Sequence, residues 1–221
     1  MPRSTHYLLI AVLLVSGSAT AQMQRERAET WDVGLYVMNS GSLSLSGEEN
    51  SRLNIDSEYG WGFWGNYNFT NRFALGFDFN WVRPDYDATF VPENDPTSPV
   101  TISHQLSIFS IQGKGTFHFV EGPISPYIEG GFGWTNVDSN VAEGPPTTGC
   151  WWDPWWGYIC RPFFSTYSES LTSYSLAGGL RWDVNETYGL RASYGVLELD
   201  TSSRTENASF DMWRVDFSWR F

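Results

Sequence analysis

The sequence predicts an all-β protein, eight antiparallel strands in up-and-down order closed into a transmembrane barrel. Three observations carry this. The chain opens with an export signal and has no later apolar run long enough for a membrane helix. Eight segments of about ten residues each alternate with period two, the length that crosses a bilayer when tilted. In every segment one face is aromatic and aliphatic while the other is small, polar or charged.

The opening "MPRSTHYLLIAVLLVSGSATAQ" places Arg3 and His6 before an apolar run from Tyr7 to Val15, then small residues ending in Ala19-Thr20-Ala21. This is the order of a secretory signal peptide, and the run is shorter than the ~20 residues of a membrane anchor. Residues 1–21 are expected to be removed, leaving a barrel domain over 22–221.

In "TWDVGLYVMN", Trp31, Val33, Leu35 and Val37 alternate with Asp32, Gly34, Tyr36 and Met38. "GWGFWGNYNF" sets Trp61, Phe63, Tyr67 and Phe69 against Gly62, Trp64, Asn66 and Asn68. After the turn "TNR", "FALGFDFNW" sets Phe73 to Trp81 against Ala74, Gly76, Asp78 and Asn80. The fourth, "FSIQGKGTFHF", pairs Phe109, Ile111 and Phe117 with Ser110, Gln112, Lys114, Thr116 and His118. The fifth, "PYIEGGFGWT", carries Ile128, Phe132 and Trp134 opposite Tyr127, Glu129 and Thr135. "SYSLAGGLRWDV", "YGLRASYGV" and "MWRVDFSWRF" complete the set. Three connections are short, around 70–72, 120–125 and 185–187; four are long, roughly 39–58, 83–104, 137–171 and 199–210. Short turns on one side and long loops on the other suit a membrane barrel.

The second face holds Asp32, Asp78, Glu129, Asp183 and Asp216 with Lys114, Arg181, Arg191, Arg214 and Arg220. Five acids against five bases can pair in a closed interior. A soluble barrel or a two-sheet sandwich would turn its apolar face inward instead. Trp61, Trp81, Trp134, Trp182, Trp213 and Trp219 sit near strand ends, where interfacial girdles belong.

The formal net charge of −12 disfavours a nucleic-acid partner. The only two cysteines enclose "CWWDPWWGYIC", Cys150 to Cys160, in the third long loop. Export makes their disulfide the expected state. Two thiols without a nearby histidine do not complete a zinc site, and no calcium-loop spacing is visible, so no metal or cofactor is expected.

At this point the chain resembles the small eight-stranded outer-membrane barrels of Gram-negative bacteria, of the outer membrane protein A and X type. The resemblance lies in the hairpin from Gly60 to Phe79, in "SPYIEGGFGW" from Ser125, and in the terminal "VDFSWRF". It implies residence in the outer membrane, with lipid and lipopolysaccharide as surroundings and a monomeric barrel. It also implies that Phe217, Trp219 and Phe221 form the signal read by the barrel assembly machinery. Outer membrane protein A itself continues into a peptidoglycan-binding domain; this chain ends at the last strand, so that anchoring is not expected.

Three functions suit a barrel of this kind. Eight strands leave an interior that side chains fill, which argues against a wide channel and leaves at most a narrow conduit. A lipid-A-modifying enzyme would need a nucleophile and base facing the outer leaflet; His104, beside Ser103 in "TISHQLS", is the one candidate, His118 facing inward. The third, a non-catalytic structural or surface-interaction role, is the expected one. Its interaction surface would be the loops, above all Trp151, Trp152, Trp155, Trp156 and Tyr158. This aromatic ring is expected to lie on the outer leaflet or against the barrel rim, with a platform for a partner as the alternative. Acidic loops, "SGEENSRLNIDSEYG" and "RPDYDATFVPENDP", carry the charge excess.

Overall fold

In the computed structural model of the chain, residues 26–46, 51–90, 98–142, 144–145, 147–163, 165–201 and 208–221 are described. The predicted export signal and parts of both acidic loops lie outside these residues. The described strands are β1 (Thr30–Ser40), β2 (Leu43–Ser46), β3 (Arg52–Ile55), β4 (Glu58–Asn68), β5 (Phe73–Val82), β6 (Asp85–Phe90) and β7 (Val100–Gln105). They continue as β8 (Ser107–His118), β9 (Ile124–Ala142), β10 (Thr147–Asp153), β11 (Gly157–Phe163), β12 (Thr166–Asp183), β13 (Tyr188–Asp200) and β14 (Ala208–Arg220).

Eight of them close a barrel in the order β1-β14-β13-β12-β9-β8-β5-β4. The closing pair is antiparallel, with Val33 opposite Trp219 and Leu35 opposite Phe217. Closure leaves no unpaired strand edge in hydrocarbon, where an unmade backbone hydrogen bond costs several kcal/mol. The two faces fall as the alternation requires: Trp31, Leu35 and Val37 point out while Asp32, Tyr36 and Met38 are buried. Glycine makes the interior possible at one clear place. A Cβ on Gly34 would lie 2.5 Å from Cε2 of Trp64, so the indole fits only because Gly34 has no side chain.

Aromatic contacts mark two levels on the outside. Trp61 stacks on Trp81 at 4.7 Å, Trp81 lies 5.0 Å from Phe109, and Tyr194 lies 4.7 Å from Trp213. At the other end Trp31 meets Tyr67 at 5.2 Å, and Phe217 meets Trp219 at 4.6 Å. Tyr174 and Trp182 on β12 belong to opposite levels. Their spacing at about 3.3 Å per residue and a tilt of about 40° gives roughly 20 Å, near the ~25 Å apolar band of such barrels.

The long connections depart from the sequence reading. Instead of plain loops they contain strands, with β2-β3-β6-β7 forming a four-stranded sheet and β10-β11 a separate hairpin. β9 and β12, of 19 and 18 residues, run well past the aromatic level, with Ala142 opposite Thr166. Two long loops side by side can satisfy their backbone groups by pairing with each other. Short alternations such as Leu43/Leu45 and Leu53/Ile55 supply them with an apolar face.

Polarity inverts along the same strands. On β13, Arg191 and Ser193 face inward beside outward Tyr194 and Val196; two residues later Leu197 and Leu199 are buried and Glu198 and Asp200 are exposed. Leu197, Leu199, Phe210, Ile108, Leu106, Tyr86 and Ile55 form one apolar cluster, against which Leu43, Leu45 and Leu53 pack. The outer end is thus built like a soluble protein, apolar inside and polar outside, while the membrane section is the reverse.

Candidate functional site

The interior of the membrane section holds two groups of ion pairs, one around Asp32 and Asp183 and one around Glu129, Asp78 and Asp216. Asp32 accepts from Arg181 at 2.7 Å and Arg220 at 3.0 Å. Asp183 is held by Arg181 at 2.7 Å and by Arg220 at 3.2 Å. Glu129 bridges Lys114 at 3.1 Å and Arg191 at 2.7 Å. Asp78 meets Arg214 at 2.8 Å, Lys114 at 3.4 Å and the Tyr36 hydroxyl at 2.7 Å. Asp216 accepts from Arg214 and from the Trp64 indole N–H, both at 2.6 Å. All ten charges named from the sequence are therefore paired in this interior.

Aromatic rings complete it. The Arg191 guanidinium sits between Trp64 and Tyr127, 4.5 and 4.4 Å from their centroids, and Arg214 lies 3.7 Å over Tyr36. Such cation–π contacts gain strength where water is excluded. The space left beside Tyr36, Lys114, Glu129 and Arg214 is about 30 Å³, room for only a water or two.

One member was missed. Arg27, 2% exposed, precedes β1 and reaches under the barrel mouth. Its Nε donates to Asp183 at 3.0 Å and its Nη2 to the Gly122 carbonyl at 2.6 Å. Asn71 Oδ1 accepts the backbone N–H groups of Arg27 and Ala28. No alternation covers residue 27, so period-two reading had no signal for it.

Outside the barrel the contrast is sharp. Cys150 and Cys160 are disulfide-bonded and directly opposite each other in β10-β11. Asp153 Oδ1 accepts the N–H groups of Trp155 and Trp156 at 2.9 and 3.0 Å and fixes the turn, and Gly157 supplies a left-handed φ of 74°. Pro154 sits in this turn, where its missing N–H costs nothing. Trp155 and Trp156 are 85% and 81% exposed, and Trp152 and Tyr158 both 71%. Packing of these rings against the barrel rim is therefore not what the structure has. The strands of the hairpin pair with each other rather than with the barrel, and these rings are left largely uncovered by the other described residues.

The enzyme candidates separate. His104 lies on β7 in the outer sheet, not on the lipid-facing barrel wall. Successive strand residues point to opposite faces; Ser103 hydrogen-bonds Asp87, while the His104 ring lies 6.5 Å from that of Tyr86. Tyr86 itself donates to the Ser139 carbonyl at 3.2 Å, and burial raises its phenol above the ordinary range. His118 is buried inside the barrel beside Ser125 and Tyr127. At the far end Phe217, Trp219 and Phe221 face outward, and Phe221 exchanges backbone hydrogen bonds with Trp31 at 2.9 Å.

A family model described as "Outer membrane protein beta-barrel domain" matches residues 9–221. The chain belongs to this outer membrane protein beta-barrel family. That membership places it with proteins of the Gram-negative outer membrane. Two solved structures with TM-scores above 0.5 agree on the fold. Neisserial surface protein A shares 11% identity at a TM-score of 0.54, covering 86% of this chain and 97% of that one. The outer membrane protein OprG of Pseudomonas aeruginosa shares 10% at 0.51, covering 90% and 99%. Ail, the attachment invasion locus protein of Yersinia pestis, shares 16% at 0.49, covering 88% and 99%. Among curated proteins none matches this outer membrane barrel.

Proposed function

We propose that this outer-membrane barrel is a non-catalytic scaffold that presents the β10-β11 hairpin to a partner at the cell surface. The observation that carries this is the exposure of Trp152, Trp155, Trp156 and Tyr158 on a hairpin closed by Cys150–Cys160, above an interior filled by ion pairs. Contiguous exposed aromatic surface of this kind marks interaction sites, and a braced loop loses little entropy on binding. The chain works as a monomer in lipid and lipopolysaccharide, its mature domain starting at Gln22 after removal of residues 1–21. Phe217, Trp219 and Phe221 serve as its address to the assembly machinery.

The test replaces Trp151, Trp152, Trp155 and Trp156 with serine in cells that display the protein. Surface level and the heat-dependent gel shift of the folded barrel are followed alongside adherence. Each buried anchor is worth ~2 kcal/mol, so binding should fall about 30-fold or more while the gel shift is kept. Unchanged adherence with a less heat-stable barrel would instead make the ring a structural element.

A further inference from the structure

We infer that the partner of the β10-β11 hairpin is the surface of a zwitterionic phospholipid bilayer opposed to the cell, which the Trp155–Trp156 tip enters; this rests on the surface-interaction reading above. Shape is the first argument. The aromatic residues crown a convex tip: Trp155 and Trp156 stand in the turn, and Trp152 and Tyr158 are a directly opposed pair just behind it. A sugar or peptide site needs side-chain hydrogen-bond partners set around the rings. Between Cys150 and Cys160 the sequence offers only the indole N–H groups, the Tyr158 hydroxyl and Asp153. Of these, Asp153 already uses its Oδ1 to accept two turn N–H groups. Indole and phenol, apolar in body with one polar edge, suit the headgroup boundary of a bilayer.

Position and charge choose which bilayer. β9 continues from Trp134 to Ala142, paired with β12 from Thr166, before the hairpin begins. At ~3.3 Å per residue and a tilt of about 40° this lifts the base of the hairpin roughly 20 Å beyond the outer aromatic level. The chain has a net charge of −12, and its interior acids are all paired, so the excess is on the exterior. An anionic surface, its own phosphate-bearing leaflet included, repels that exterior. A zwitterionic one does not, and the exposed Arg161, opposite Gly149 on the hairpin, adds a cation that a lipid phosphate can accept.

The full-length protein in nanodiscs is mixed with phosphatidylcholine vesicles and floated on a density gradient. Co-flotation is expected for the wild type. It should fall at least about tenfold for W155S/W156S, be largely restored in W155F/W156F, and weaken when phosphatidylglycerol is added to the vesicles. C150S/C160S keeps every ring and should float less, because the tip is no longer braced. The gel shift certifies folding of each variant. If the wild type does not float, or W155S/W156S floats as well as wild type, the lipid proposal is overturned. If flotation fails while adherence still depends on the tryptophans, the surface reading stands and the partner is a glycan or protein. Loss of both dependences removes both readings.

Discussion

Glu129 joins three strands of the barrel through Lys114 on β8, Arg191 on β13 and, at 3.6 Å, Arg214 on β14. Removing it leaves Arg191 without the acid it pairs with, while Lys114 and Arg214 keep Asp78; stranding a buried cation costs ~3–5 kcal/mol, much more than the net worth of the pair itself. Glu129→Ala should therefore lower the unfolding free energy in detergent by about that amount, as read by urea titration; a loss under ~1 kcal/mol would show that water already screens the network. At this scale the sequence was informative wherever strict alternation held. Asp32, Asp78 and Asp216 could be assigned inward because their neighbours Trp31, Phe77 and Phe217 could not be. Arg27 escaped because its burial depends on a turn-side carbonyl and on Asn71, contacts that no local pattern encodes.

Among the elements, β13 and β14 each serve two environments. Their lower halves pack charge inward and lipid-facing residues outward; their upper ends bury Leu197, Leu199, Ala208 and Phe210. Phe210→Ala removes an aromatic from this upper core, a change that typically costs ~3–5 kcal/mol. Amide hydrogen exchange should accelerate at the outer ends of β13 and β14 while the membrane section stays protected. Equal acceleration along both strands would mean that the two halves unfold as one. The barrel strands were legible because each reads as a long period-two run. The outer sheet was not: β2 and β3 are only four residues each, and β6 and β7 six, too short to distinguish from loop without knowing that two loops lie side by side. The hairpin hid for a similar reason, its tryptophans masking the alternation that the register Trp152 to Tyr158 makes plain.

The whole molecule consists of a filled cylinder and an exterior built on it. The cylinder crosses the membrane and is closed by side chains along its length, from Arg27 at one mouth to the Leu197–Phe210 cluster at the other. Eight strands give no more room than side chains need, and the open space beside Glu129 is about 30 Å³. Under the proposed function, surface interaction falls to the Trp-rich hairpin. The most direct measurement of that division is planar-bilayer recording of the purified protein at neutral pH. A barrel filled by ion pairs should show no steady open state. A large, sustained conductance would contradict it, since the ion pairs that fill the barrel could not then be its resting interior.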